Sequence, residues 1–178
     1  HVLPPLVFVM CMVLLCACHE SDNEQILDQL DQVIESKGLY AVRFERRVDS
    51  LRRELCTASD DTMRWRTANR LFDSYITYNI DTAARYVALM YDLAEHTGRR
   101  DMKFLSTTCD ISVLIGRNNI EDAYDRIRSL DTAGITKRMR ANYYTQQMVV
   151  YGRLASQNTS ESRSRAYADT LARIRRVR

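Results

Sequence analysis

Along most of this chain apolar residues return every three or four positions, the spacing of a helix with one buried face. Ser21-Asp22-Asn23-Glu24 forms a capping box in which Ser21 starts a helix and Glu24 reaches back to its N–H. Ile26/Leu27, Leu30 and Val33/Ile34 follow at helical spacing, and Lys37-Gly38 predicts a stop. A second helix carries Ala41, Phe44, Val48, Leu51 and Leu55 at steps of 3, 4, 3 and 4, a heptad seam. The two together predict a helical hairpin over residues 25–58.

Asp60-Asp61-Thr62 starts a third helix by N-cap chemistry, with Trp65, Ala68, Phe72, Tyr75 and Ile76 along one stripe. Asp81 is the expected cap of a fourth, which turns Ala83, Val87, Met90/Tyr91 and Ala94 inward and ends at Gly98. A fifth opens at Asp101, carries Leu105, Cys109 and Ser112/Val113, and stops at Gly116-Arg117-Asn118-Asn119. The sixth holds Ile120, Ala123, Tyr124, Ile127 and Leu130 and ends near Ala133-Gly134. A long seventh runs from Thr136 to about Ala155. After the break at Gln157-Asn158-Thr159-Ser160, an eighth carries Tyr167, Leu171 and Ile174.

One segment breaks the periodicity. Leu6 to Leu15 is a continuous apolar run that continues to Cys18 and stops at His19-Glu20-Ser21-Asp22. It is shorter than the ~20 residues that a membrane helix needs, and it has the form of a secretory h-region. Leu15-Cys16-Ala17-Cys18 resembles a lipobox, which implies acylation of Cys18; a plain signal peptide cut near Ala17 is the alternative reading. Residues 1–17 are thus expected to be an export signal that lacks its basic start, since the chain opens on His1. Residues 18–24 would be an acidic tether, and the mature protein periplasmic or anchored to a membrane by lipid.

Composition narrows the fold. Five Gly and two Pro occur in 178 residues, and both prolines (Pro4 and Pro5) lie in the leading apolar run. Little therefore interrupts helices, and the frequent turn residues of sandwiches and barrels are missing. The expected class is all-α. Helix pairs recur near 34 to 40 residues, the period of a helical solenoid. Asn119 to Ile127 resembles the second-helix half of a tetratricopeptide repeat, and Asn79 to Val87 has the same shape, with Ala83 lying 40 positions before Ala123. These tetratricopeptide-like pairs predict a right-handed solenoid over 59–178, divided at about 62–98, 99–134 and 135–178, the last by helix length alone.

That register assigns the concave wall to the first helix of each pair. Trp65, Ala68, Phe72, Tyr75 and Ile76, then Leu105, Thr108, Ser112 and Ile115, and finally Tyr144, Gln147 and Tyr151 would line it. The candidate groove residues are Trp65, Tyr75, Thr108, Ser112, Tyr144, Gln147 and Tyr151, with Tyr75 and Tyr151 as anchors that join a large apolar area to a polar tip. Phe72 and Leu105 fit inter-repeat core equally well.

Charge adds little. Residues 19–62 carry a balance of −5 and residues 63–178 a balance of +8, and Arg outnumbers Lys 23 to 3. A basic half raises nucleic acid as a partner, but an exported chain rarely meets any, and a solvated arginine-rich surface explains the balance. Cys56 and Cys109 fall on apolar helical faces, where packing as small hydrophobes is favoured over a bridge. No CxxC, HExxH, phosphate loop or nucleophile elbow occurs, so no metal, cofactor or catalytic residue is expected. His96 sits at a helix end, where a cation complements the dipole. An enzyme is not expected.

A set of segments carries a wider resemblance: Leu30 to Ile34, Tyr40, Phe44 to Arg52, Leu71 to Tyr75 and Asp81 to Tyr86. They resemble the N-terminal region of a family of Bacteroidetes membrane-tethered regulators. That resemblance implies an export signal, a tetratricopeptide-like periplasmic region, one membrane span, then a coiled coil and a DNA-binding end. It is clear over residues 25–100 and looser beyond. The implied role is a sensor or protein-interaction module that meets a protein or peptide partner in the cell envelope. This chain reaches Arg178 with no second apolar span, and the lipobox fits a surface lipoprotein better. The alternative is therefore an outer-membrane or surface lipoprotein of a nutrient (glycan) uptake assembly.

Overall fold

A computed structural model describes the backbone of residues 3–157 and 160–177 and the side chains of residues 25–157 and 160–176. The side chains of the expected export signal, of Cys18 and of the acidic tether lie outside the described residues. Among the described residues the secondary structure is seven helices: α1 Leu3–Thr57, α2 Asp61–Tyr75, α3 Ile80–Thr97, α4 Arg100–Gly116, α5 Ile120–Arg128, α6 Lys137–Gln157 and α7 Glu161–Val177. The chain is an all-α helical-repeat protein.

The expected hairpin over 25–58 does not form, because α1 is one helix through both Ser21 and Gly38. The seam is in phase across the supposed turn, with Leu27, Leu30, Ile34, Lys37 and Ala41 at steps of 3, 4, 3 and 4. One glycine costs a helix only about 1 kcal/mol, too little to outweigh the hydrogen bonds on either side. By contacts the chain divides into residues 1–47 and 48–178, so the last residues of α1 belong to the second unit. There Val48 and Leu51 are buried.

In residues 48–178 the helices pair in sequence. Tyr91 Oη donates to Thr107 Oγ1 at 3.1 Å and Lys103 Nζ lies 3.9 Å from Glu95, which sets α3 antiparallel to α4. Arg126 pairs with Asp110 at 3.2 Å and Arg100 with Asp131 at 2.6 Å, closing α4 against the α5 end. The Arg100–Asp131 pair is exposed and contributes little to stability, while Asp110 of the other pair is half-buried. The core does the work. Leu71, Met90, Ile111, Ile127, Val48, Val113 and Val150 are fully enclosed, and burying such a side chain stabilises the fold by about 1.5–3 kcal/mol. Ala83 and Ala123 are both completely buried, each early in the second helix of its pair.

Local chemistry fixes the helix ends. Asp60 caps α2 by accepting from the Met63 N–H at 2.8 Å. The cap of α3 is Asn79, whose Oδ1 accepts from the Thr82 N–H at 2.9 Å; Asp81 instead lies in the first turn, where its charge meets the helix dipole. Gly98 ends α3 at φ 65°, a left-handed conformation that a side chain would strain. Asn118 adopts φ 59° in the α4–α5 turn, a role that Asn fills better than most residues.

Candidate functional site

The first helices α2, α4 and α6 border an open cavity of about 810 Å³. Its floor is apolar: Trp65, Phe72, Leu105 and Met139 face it. Trp65 is held in place, because its Nε1–H donates to Ser106 Oγ at 3.0 Å and that hydroxyl donates to the Met102 carbonyl at 2.9 Å. Ser112 ties two walls together by accepting from Gln146 Nε2 at 2.7 Å, while its own hydroxyl donates to the Thr108 carbonyl. This bond fixes the spacing of α4 and α6.

The rim is polar and carries more bases than acids. Arg66, Arg70, Arg99 and Arg138 stand against Asp73 and Asp101, with Asn69, Asn142 and Thr145 between them. Two of the arginines are already paired: Arg70 contacts Glu54 at 2.7 Å and Arg99 contacts Asp101 at 2.6 Å. The Arg99 hydrogen bond holds the Asp101 carboxyl below its ordinary range. Partial loss of water raises the Asp73 carboxyl, and the nearby Arg138 charge pulls it back. Arg66 and Arg138 are exposed at the mouth.

Of the candidate residues read from the sequence, Trp65, Thr108 and Ser112 line this cavity and four do not. Tyr75 is core: it is 5% exposed, stacks on Tyr86 with centroids 5.8 Å apart, and accepts from Arg52 Nη2 at 2.7 Å. Tyr151 packs edge-on against Tyr124 and Tyr167 at 5.6 and 6.1 Å, and neither Tyr75 nor Tyr151 lines the cavity. Tyr144 and Gln147 face a separate hollow of about 230 Å³ with Thr170, Arg173 and Ile174 of α7. The polar row Thr62, Arg66, Asn69 and Asp73, at steps of 4, 3 and 4 on α2, was the legible signal for the rim. It adjoins the apolar stripe and reads alone as a solvated face.

Cys109 also reaches this cavity, with its thiol 3.5 Å from Asn69 Oδ1. Burial, reinforced by the Asp73 and Asp110 carboxylates, pushes the thiol up to about 12. Cys56 and Cys109 are both free, and Cys56 is exposed, not packed on an apolar face as expected. Because the thiolate is the nucleophile, Cys109 should react with iodoacetamide at pH 8 at least ten times more slowly than Cys56. Peptide mass spectrometry over a time course reads this directly, and equal rates would refute the buried setting of Cys109. Among the described residues no group of three or more His, Cys, Asp or Glu is placed to hold a metal. Among the residues whose side chains are described, no helical stretch is long and apolar enough to cross a membrane.

Against known families, the model of the SusR N-terminal TPR domain matches residues 34–176. The chain belongs to this family. The match takes in the helix pairs α2/α3, α4/α5 and α6/α7 and the cavity that their first helices border. Among curated proteins nothing matches the chain, and no solved structure does.

Proposed function

We propose that this member of the SusR N-terminal TPR domain family is the sensing and interaction module of an envelope-anchored regulator. It works without catalysis, by holding an extended, carboxylate-bearing protein segment in the groove of α2, α4 and α6. The observation that carries this reading is the open cavity itself, with an apolar floor at Trp65 and Met139 and basic residues at its mouth. Solenoids bind along such walls. An extended segment would present its peptide groups to Asn69 and Asn142, its acidic side chains to Arg66 and Arg138, and an apolar side chain to the floor. Placement in the envelope rests on the apolar run and on the Cys18 lipobox.

The test is site-specific crosslinking in cells. A photoreactive residue in place of Asn142 should capture a discrete protein, whereas one in place of Glu121, outside the groove, should not. Arg66→Glu combined with Arg138→Glu should reduce the adduct at least tenfold while the circular-dichroism spectrum stays unchanged. Equal capture from both positions, or capture that ignores the charge reversal, would remove the groove assignment. The anchor is read separately: a radioactive fatty acid should label the wild type and Cys16→Ala but not Cys18→Ala.

A further inference from the structure

The first unit of the chain, residues 1–47, holds an apolar face that nothing described covers. Ile26, Leu27, Leu30, Val33, Ile34 and Tyr40 are 52 to 63% exposed. They lie on one side of α1, with Leu27, Leu30 and Ile34 at a and d heptad positions and Ile26, Val33 and Tyr40 at the adjoining g positions. The same seam is buried further on, at Val48 and Leu51. A stripe of this width on a helix is a packing face, because amphipathic helices draw their stability from burying one side.

Charge identifies the occupant. Residues 25–36 carry Asp28, Asp31 and Glu35 and no base, whereas residues 37–46 carry Lys37, Arg43 and Arg46 against Glu45. The segment is acidic at one end and basic at the other. We propose that α1 pairs antiparallel with α1 of a second copy of this chain, through the stripe from Ile26 to Ala41. The arrangement is self-complementary, as a two-fold interface must be. Setting Leu30 level with Ala41 of the second copy puts Asp28 level with its Arg43. Acidic half then meets basic half at both ends. Parallel pairing would set like charges together along the whole length. A lipid surface fits poorly, because interfacial helices carry Lys and Arg on the polar face and this one begins with three acids.

Sedimentation equilibrium of the full chain in a density-matched mild detergent tests the pairing. The wild type should be a dimer at micromolar concentration. L30E combined with I34E should raise the dimer dissociation constant at least tenfold, without changing the melting of the second unit. D28K/D31K/E35K and R43E/R46E should each weaken self-association at least tenfold, and mixing the two variants should restore a dimer. The proposal is overturned if the wild type is monomeric, if L30E/I34E dimerises like the wild type, or if either charge-reversal variant by itself associates like the wild type. Co-flotation of a monomeric wild type with vesicles would assign the stripe to membrane instead and likewise overturn it. The groove plays no part in these outcomes, so they stand apart from the crosslinking result.

Discussion

Tyr75→Ala is expected to lower the unfolding free energy of the second unit by about 3–5 kcal/mol, the usual cost of deleting a buried aromatic ring. The ring is 5% exposed at the C-terminal end of α2, stacked on Tyr86 of α3, with the Arg52 guanidinium of α1 donating to its hydroxyl at 2.7 Å. Removing it opens a cavity at the point where three helices meet. Against a typical total of about 5–15 kcal/mol the loss is large. Tyr75→Phe separates the two contributions. It keeps the stack, gives up the hydroxyl bond to a half-exposed arginine, and should cost about 0.5–1.5 kcal/mol. Urea unfolding followed by circular dichroism measures both. A Tyr75→Ala variant with the wild-type midpoint would mean that the ring is not core and would return it to the list of binding residues.

Tyr75 shows how far the sequence could be read. Its stripe position was legible, and so was the helix that carries it, because period and N-cap agree over Asp60 to Ile76. A tyrosine's polar tip reads as a sign of exposure. The tip is satisfied internally by Arg52, 23 residues away in sequence, and spacing along one helix cannot reveal that partner. The Tyr124–Tyr151–Tyr167 cluster misleads in the same way, since three half-polar rings from three helices satisfy one another's edges.

The repeat register did place Trp65, Thr108 and Ser112 at the groove, because a solenoid turns the same helix of every pair to the same side. Its arginines and asparagines stayed hidden for a physical reason. A charged row at helical spacing looks the same whether it faces open water or the mouth of a cavity. The hairpin failed for the opposite reason. Gly38 after Lys37 reads as a terminator, yet a lone glycine with the apolar phase unbroken on both sides leaves the helix intact.

Ile127→Ala should be comparably damaging, at about 2–5 kcal/mol, and its damage should be local. Ile127 is fully buried in one cluster with Ile111 of α4 and with Val150 and Leu154 of α6. It sits on α5, a helix of nine residues, which is too short to hold its shape by propensity alone. Packing through Ile120, Ala123 and Ile127 is therefore what keeps α5 folded. In a stacked repeat each element is stabilised mainly by its neighbours, so the loss should spread to α6 before it reaches α2 and α3. Hydrogen exchange resolves this order: amides of α5 and the adjoining face of α6 should lose protection, while those around Leu71 and Met90 keep most of theirs. Uniform loss across all six helices from α2 to α7 would show one cooperative core and rule out the stepwise coupling. The groove should follow α6, because the helix that carries Arg138 and Asn142 packs against α5 through Val150 and Leu154 and is tied to α4 by the Ser112–Gln146 bond. Ile127→Ala should then weaken capture at Asn142 under conditions where α2 and α3 remain folded, although residue 127 never touches the bound segment.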